Sequence, residues 1–142
     1  MLRDEFESPA ERDPEELRRA YERVLAETVE TQGVDAVADA TDVDEETLDS
    51  LLAGESPEIT LEEAAAILAT DPDRPDADFL AADARDILMM GMSVAVLDVE
   101  AIQSGINAQM DAKEIQQKVE GRYPMTLGEY AVLHQFIESK KG

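Results

Sequence analysis

Apolar residues recur at helical spacing through most of the chain. Between Asp13 and Gly33 they fall at positions i, i+3, i+4 and i+7, which predicts an amphipathic helix over residues 14–31. Asp13 can cap this helix, and Pro14 suits its first turn. No segment alternates convincingly between apolar and polar residues with a period of two, so we expect no β-sheet.

Seven more helical segments follow from the same spacing and from capping signals. Thr60 with Glu63, and Thr126 with Glu129, form the pattern of a capping box, in which a threonine and a glutamate exchange hydrogen bonds with the backbone. The longest apolar segment is predicted to weaken at Gly91. The segments are residues 34–40, 44–53, 60–69, 76–97, 98–104, 111–120 and 126–139. The predicted fold class is therefore all-α, with about eight helices.

The spacing of helix-breaking residues repeats between the two halves of the chain. Leu48 lies six residues before Gly54, as Ile115 lies six residues before Gly121, and a proline follows each glycine by three residues. We therefore predict an internal duplication whose two copies share one core. The predicted organisation is an N-terminal helix plus the first copy over residues 1–70, a linker rich in proline and aspartate over residues 71–78, and a long apolar helix plus the second copy over residues 79–142.

The charged residues are unevenly distributed. The chain has 34 acids, 12 bases and a formal charge of −22. Residues 1–110 hold 29 acids and 7 bases, whereas residues 111–142 hold 5 of each and are neutral. Heavy use of Asp and Glu, few lysines and no cysteine resemble the proteins of salt-accumulating halophilic archaea. The whole chain also resembles an uncharacterised family of small acidic haloarchaeal proteins, which implies no function.

Residues 37–68 resemble the helix-turn-helix of lambda-repressor/Cro-like DNA-binding domains. Ala38 lies four positions before the turn, and the second helix ends at Gly54, twelve residues past the turn. Asp42 stands where the family has its turn glycine, and aspartate tolerates the left-handed conformation better than most residues. The resemblance implies that the second helix of this copy occupies the place of a recognition helix.

The second copy resembles the same motif with a longer turn. Ala101 lies four residues before Gly105, and Ile106-Asn107 fits the turn. The interval from Gly105 to Gly121 is sixteen residues, four more than the family has. The inserted residues, roughly 108–111, can lengthen the turn and shift the recognition helix.

The two recognition helices differ in their outward side chains. The first carries Glu45, Glu46 and Asp49, which repel phosphates, so we do not expect it to bind DNA. In the second, Ile115 and Val119 are predicted to face inward, which leaves polar and basic residues outside. The candidate DNA-binding residues are Lys113, Gln116 and Gln117 for base edges, and Lys118 and Arg122 for phosphates.

Two functions from different classes are open. The leading hypothesis is a non-enzymatic helix-turn-helix regulator of transcription that binds DNA through the second copy. The alternative is a degenerate helix-turn-helix that acts as a protein–protein interaction adaptor. An exposed apolar groove would favour the adaptor. A contiguous neutral-to-basic face would favour DNA, and its members would be Lys113, Lys118, Arg122, Lys140 and Lys141.

No catalytic residues, metal or cofactor are predicted. The absence of cysteine removes thiolate chemistry and most zinc sites, and the aspartates of residues 71–78 do not fit a calcium-binding loop. His134 lies among apolar neighbours on the last helix and is predicted to be a packing residue. We therefore expect no enzyme.

The methionine-rich helix is a candidate homodimer interface, through Ile87, Met90 and Val94. Its most apolar stretch, residues 87–97, is too short to span a bilayer of about 30 Å. The N-terminal residues have neither the basic start nor the apolar run of a secretion signal. We therefore expect a cytoplasmic protein without a membrane partner.

Overall fold

The computed structural model describes residues 13–106 and 110–141, which form helices and no strand. This confirms the predicted all-α fold of about eight helices. The helices are α1 (Pro14–Gln32), α2 (Val34–Ala40), α3 (Glu45–Leu52), α4 (Leu61–Leu68), α5 (Ala77–Ala95), α6 (Val99–Gly105), α7 (Ala112–Val119) and α8 (Leu127–Ser139). Asn107 and residues 108–109 of the predicted long turn lie outside the described residues.

Polar side chains cap most of the helices at the positions that the sequence indicates. The Asp13 carboxylate accepts the backbone N–H of Glu16 at the start of α1, and aspartates 44, 76, 98 and 111 do the same for α3, α5, α6 and α7. Thr60 and Thr126 form complete capping boxes with Glu63 and Glu129, as predicted. These contacts satisfy backbone donors that would otherwise have no partner at each helix start.

The second half of the molecule repeats the helix order of the first. Each half begins with a helix of 19 residues, α1 or α5, followed by one of 7 residues, α2 or α6. An eight-residue helix follows, α3 or α7, and then α4 or α8 ends the half. Positions can therefore be compared between the halves, helix by helix.

A short antiparallel contact joins the two halves at equivalent residues. The Leu61 backbone N–H donates to the carbonyl of Met125 over 2.7 Å, and the Leu127 N–H donates to the carbonyl of Ile59 over 2.9 Å. Beyond this contact, α1 packs on α8 and α5 packs on α4, so each long helix also packs against the last helix of the other half. The halves therefore share one core and do not fold around separate ones.

Gly91 is a packing residue, and α5 does not break at the position where the sequence predicts a weak point. The helix continues unbroken through this position to Ala95. A Cβ atom on Gly91 would lie 2.6 Å from Cγ2 of Ile137 on α8, closer than two carbon atoms can pack. The missing side chain therefore allows α5 and α8 to approach closely.

The halves differ in how their middle helices are held. In the first half α2 packs on α1 and α3, and α3 packs along α1. In the second half α6 packs on α7 and α8, and α7 has a smaller contact with α5. This difference leaves a groove between α5, α6 and α7.

Candidate functional site

Helix α7 exposes most of the side chains that the sequence proposes for DNA. Ile115 and Val119 are buried, as predicted, so the helix has the expected inner and outer faces. Lys113 and Gln116 are exposed, and Gln117 is half-buried. Arg122, two residues beyond the C-cap of α7, is exposed, and its Nε atom lies 3.4 Å from Glu120.

Lys118 is held inside the protein by two carboxylates. Its Nζ atom lies 2.8 Å from Glu114 and 2.6 Å from Glu129, and its side chain is only 12% exposed. Burial lowers the pKa of Lys118, but the hydrogen bonds and charges of the two glutamates outweigh burial, so this pKa lies above its ordinary value. The structure therefore does not present Lys118 as a phosphate contact, because it would first have to leave both partners.

The other bases of the last third are mostly engaged as well. Lys141 pairs with Glu138 over 2.9 Å, and the Lys140 ammonium lies 5.4 Å from the centre of the Phe136 ring. Among the five bases of residues 111–142, Lys113 alone has neither a carboxylate nor a ring partner within the described part of the chain. The bases are therefore not arranged as five free cations facing solvent.

An open groove of about 390 Å³ runs between α5, α6 and α7. Five of its nine lining residues are apolar, and two are carboxylates. The lining residues are Met89, Met92, Ser93, Leu97, Asp98, Val99, Gln116, Val119 and Glu120. Gln116 thus belongs to this groove, whereas Lys113 and Gln117 line a separate, more polar cleft with Tyr123 on the other side of α7.

The candidate dimer residues are divided between the surface and the interior. Met90 and Val94 are exposed, together with Met89 and Val96 at the same end of α5. Ile87 is buried, which corrects its assignment to an interface. The exposed residues form an apolar surface next to the groove.

The methionine-rich helix is apparent from the sequence, whereas the groove is not. Met92, Leu97 and Val99 line it only because α6 and α7 stand away from α5. The four-residue excess between Gly105 and Gly121 was the signal in the sequence that the second half is arranged differently.

His134 lies in a buried aromatic cluster between α1 and α8. Its Nδ1 atom is 2.5 Å from the Tyr21 hydroxyl, and its ring centre is 5.4 Å from that of Tyr130. Its Nε2 atom is 3.4 Å from a carboxylate oxygen of Glu138. Burial lowers the pKa of His134, and Glu138 offsets this only in part. His134 thus packs in the interior, as predicted.

We expect His134 to make stability fall as the pH falls below about 6.5. Its pKa is lower in the folded protein, so the unfolded chain takes up the proton first and folding loses free energy in acid. The many carboxylates also titrate, so the measurement is the difference in unfolding free energy between the protein and His134→Gln. Urea titrations between about pH 8 and pH 5.5 should show this difference shrinking in acid. A pH-independent difference would contradict the assignment.

Two further features of the described residues bear on function. No group of three or more His, Asp or Glu side chains in the described part of the chain is placed to hold a metal ion. Among the described helices, none is by itself long and apolar enough to cross a membrane. Only α5 and α6 together reach that length, and they are bent by 91° relative to each other.

Comparison with known proteins identifies a family for this chain. No curated protein matches it, and no solved structure does. A family model matches residues 17–140, from the first turn of α1 to the C-cap of α8. Its description is "Family of unknown function (DUF5791)". The chain therefore belongs to the family DUF5791.

Proposed function

We propose that the protein is a non-enzymatic interaction module that binds a protein partner through the groove between α5, α6 and α7. The observation that carries this proposal is the open, largely apolar groove of the second half. Apolar surface next to such a groove is typical of protein interaction sites. On this proposal the helix-turn-helix-like arrangement is a scaffold, used as an adaptor.

The first half supports the proposal by contrast. Val29 and Met92 each lie three residues before the end of the long helix of their half. Val29 is fully buried, whereas Met92 lines the groove. The cleft between α1 and α3 is lined by four charged residues, namely Arg19, Glu22, Arg23 and Glu55, among eight. At the position of Val29 and Met92 the first half is closed, whereas the second half opens a groove.

Sequence-specific DNA binding through α7 is the second candidate function. It is favoured by the charge balance of residues 111–142 within a chain of −22. In this scheme Lys113, Gln116 and Gln117 contact bases, and Arg122 contacts a phosphate. It ranks second because Gln116 and Gln117 line different clefts, and because Lys118 is already paired.

Affinity purification at the salt concentration of the native cell distinguishes the two candidates. The bait is the tagged protein, compared with Met89→Asp in the groove and with the double variant Lys113→Ala, Gln117→Ala on the far side of α7. We expect a protein that is recovered with the unmodified bait and the double variant but lost with Met89→Asp. Binding of the purified partner should weaken by about tenfold or more with the same substitution.

Bound DNA provides the matched control in the same purification. A specific DNA sequence that is lost with the α7 double variant and retained by Met89→Asp would replace the adaptor proposal with the second candidate. If neither protein nor DNA depends on these substitutions, both candidates fail.

A further inference from the structure

Helix α5 ends in a conformation that its C-cap residue disfavours. Val96 has φ 55° and ψ 52°, and it is the one described non-glycine residue with positive φ. The Leu97 N–H donates to the carbonyl of Met92 over 2.9 Å, closing a helix C-terminal motif in which glycine is usual. A β-branched side chain crowds its own backbone in this region.

The first half has a glycine at the same position. Gly33 is the C-cap of α1, as Val96 is the C-cap of α5, and it also has positive φ, at φ 92° and ψ 137°, although outside the left-handed helical region that Val96 occupies. Both residues follow helices of 19 residues directly. The side chain of Val96 is 89% exposed, so packing in the protein interior does not explain why a valine occupies this strained position. Strained residues tend to occur at functional sites.

Val96 is a neighbour of the groove in the chain. It directly precedes Leu97 and follows Ser93 by three residues, and both of these residues line the groove. A valine here places two methyl groups in solvent at the cost of backbone strain. The position therefore fits a contact with an apolar partner surface better than it fits stability.

The charged residues around the groove indicate the sign of the charge on its partner. Asp98 and Glu120 line it, and no base does among the residues described. Residues 76–100 contain six acids and one base, Arg85, which is buried and bonded to Glu62. A second copy of this chain would bring a charge of −22 against the same acidic surface, and an anionic membrane would be repelled in the same way. A positively charged partner is complementary.

The secondary structure around the groove indicates which conformation the bound segment of the partner takes. The groove is formed by helices, and the described residues offer no sheet edge that could take up an extended peptide as a strand. Proline-rich ligands bind grooves lined by aromatic side chains, and no aromatic residue in the described part of the chain lines this groove. An amphipathic helix that lays its apolar face in a groove is the common mode that fits. We infer that the groove binds an amphipathic helix with basic flanks from another protein, and that Val96 contacts its apolar face. This inference rests on the proposed function.

Synthetic peptides test the inference directly. The probe is a fluorescent helical peptide of leucine and lysine, with leucines at i, i+3, i+4 and i+7. One control peptide has the same composition in scrambled order, and another has glutamate in place of lysine. Fluorescence anisotropy is measured at about 0.15 M KCl, where the screening length is about 8 Å, and the scrambled peptide of equal charge reports unspecific attraction to the acidic chain. We expect binding of the amphipathic lysine peptide alone.

The variant Val96→Gly distinguishes the effect of backbone strain on stability from the effect of the Val96 side chain on peptide binding. Glycine relieves the left-handed backbone, so the melting temperature should rise by roughly 3 °C. Removing the side chain should nevertheless weaken peptide binding about fivefold to tenfold. The matched control is Phe79→Ser, which removes another exposed apolar side chain at the opposite end of α5 and should leave the affinity unchanged.

Four outcomes would overturn the inference. The first is equal binding of the scrambled peptide, and the second is an equal loss of affinity in Phe79→Ser. The third is self-association in analytical ultracentrifugation that Val96→Gly abolishes, which assigns the surface to a second copy. The fourth is failure of all three peptides while a purified partner still requires Met89, which leaves the proposed function intact. If no peptide binds and no partner protein is recovered, both this inference and the proposed function fail.

Discussion

Leu61→Ala and Leu127→Ala should each lower the free energy of unfolding by about 2–5 kcal/mol. Both side chains are buried where the two halves meet, with exposed fractions of 0% and 1%. Alanine keeps the backbone N–H that each leucine donates across the contact, so the loss comes from the removed side chain and the cavity. Their equivalent positions in the two halves predict losses of similar size.

The measurement is urea unfolding followed by circular dichroism in molar KCl, which screens repulsion within the acidic chain. Glu27→Ala is the control, because Glu27 is exposed on α1 and its loss should change stability by less than about 0.5 kcal/mol. If one leucine substitution is silent while the other unfolds the protein, the two halves are not equivalent at this contact.

Most of the helix boundaries could be predicted from the sequence because they depend on residues a few positions apart. Asp13, Asp44 and Asp111 each accept the backbone N–H three residues later, and Thr60 and Thr126 close boxes over the same interval. Helical spacing likewise placed Ile115 and Val119 inside. Local signals were therefore enough for the elements and for the faces of α7.

The arrangement of the helices depends on contacts between distant residues, and local patterns do not encode these. Gly91 looked like a weak point because glycine disfavours helices, but Ile137 of α8 requires the space. Lys118 looked like a surface base, but Glu129 approaches it from another helix. The groove arises in the same way, because it exists only where α6 and α7 stand away from α5.

An arginine from each long helix binds a backbone carbonyl near the end of an eight-residue helix. Arg18 of α1 donates to the carbonyl of Pro57, in the turn after α3, over 3.2 Å, and Arg85 of α5 donates to that of Lys118, in the last turn of α7, over 3.0 Å. Arg85 also pairs with Glu62, the second residue of α4, over 2.6 Å. The second residue of α8 is a glycine, and Arg18 pairs instead with Glu22 on its own helix over 3.2 Å.

This difference predicts unequal effects of removing the two arginines. Arg18→Met should lower the free energy of unfolding by about 3 kcal/mol, because the Glu22 side chain is 9% exposed and would keep a buried charge without a cation. Arg85→Met should cost about 1–2 kcal/mol, since Glu62 is 50% exposed and water can solvate it. Methionine retains much of the packing of either side chain.

The double variant Arg18→Met, Glu22→Gln isolates the buried charge. Glutamine is neutral and can still accept the hydrogen bond that the Ser56 hydroxyl donates to Glu22 over 2.8 Å. We therefore expect the double variant to recover at least about half of the stability lost in Arg18→Met. Urea titrations of the two single variants, the double variant and Glu22→Gln complete the cycle. Two results would contradict this explanation. The first is a loss of unfolding free energy in Arg18→Met that is no larger than in Arg85→Met. The second is a double variant that recovers none of the stability lost in Arg18→Met. Either result would mean that the buried Glu22 charge does not cause the unequal effects of the two arginines.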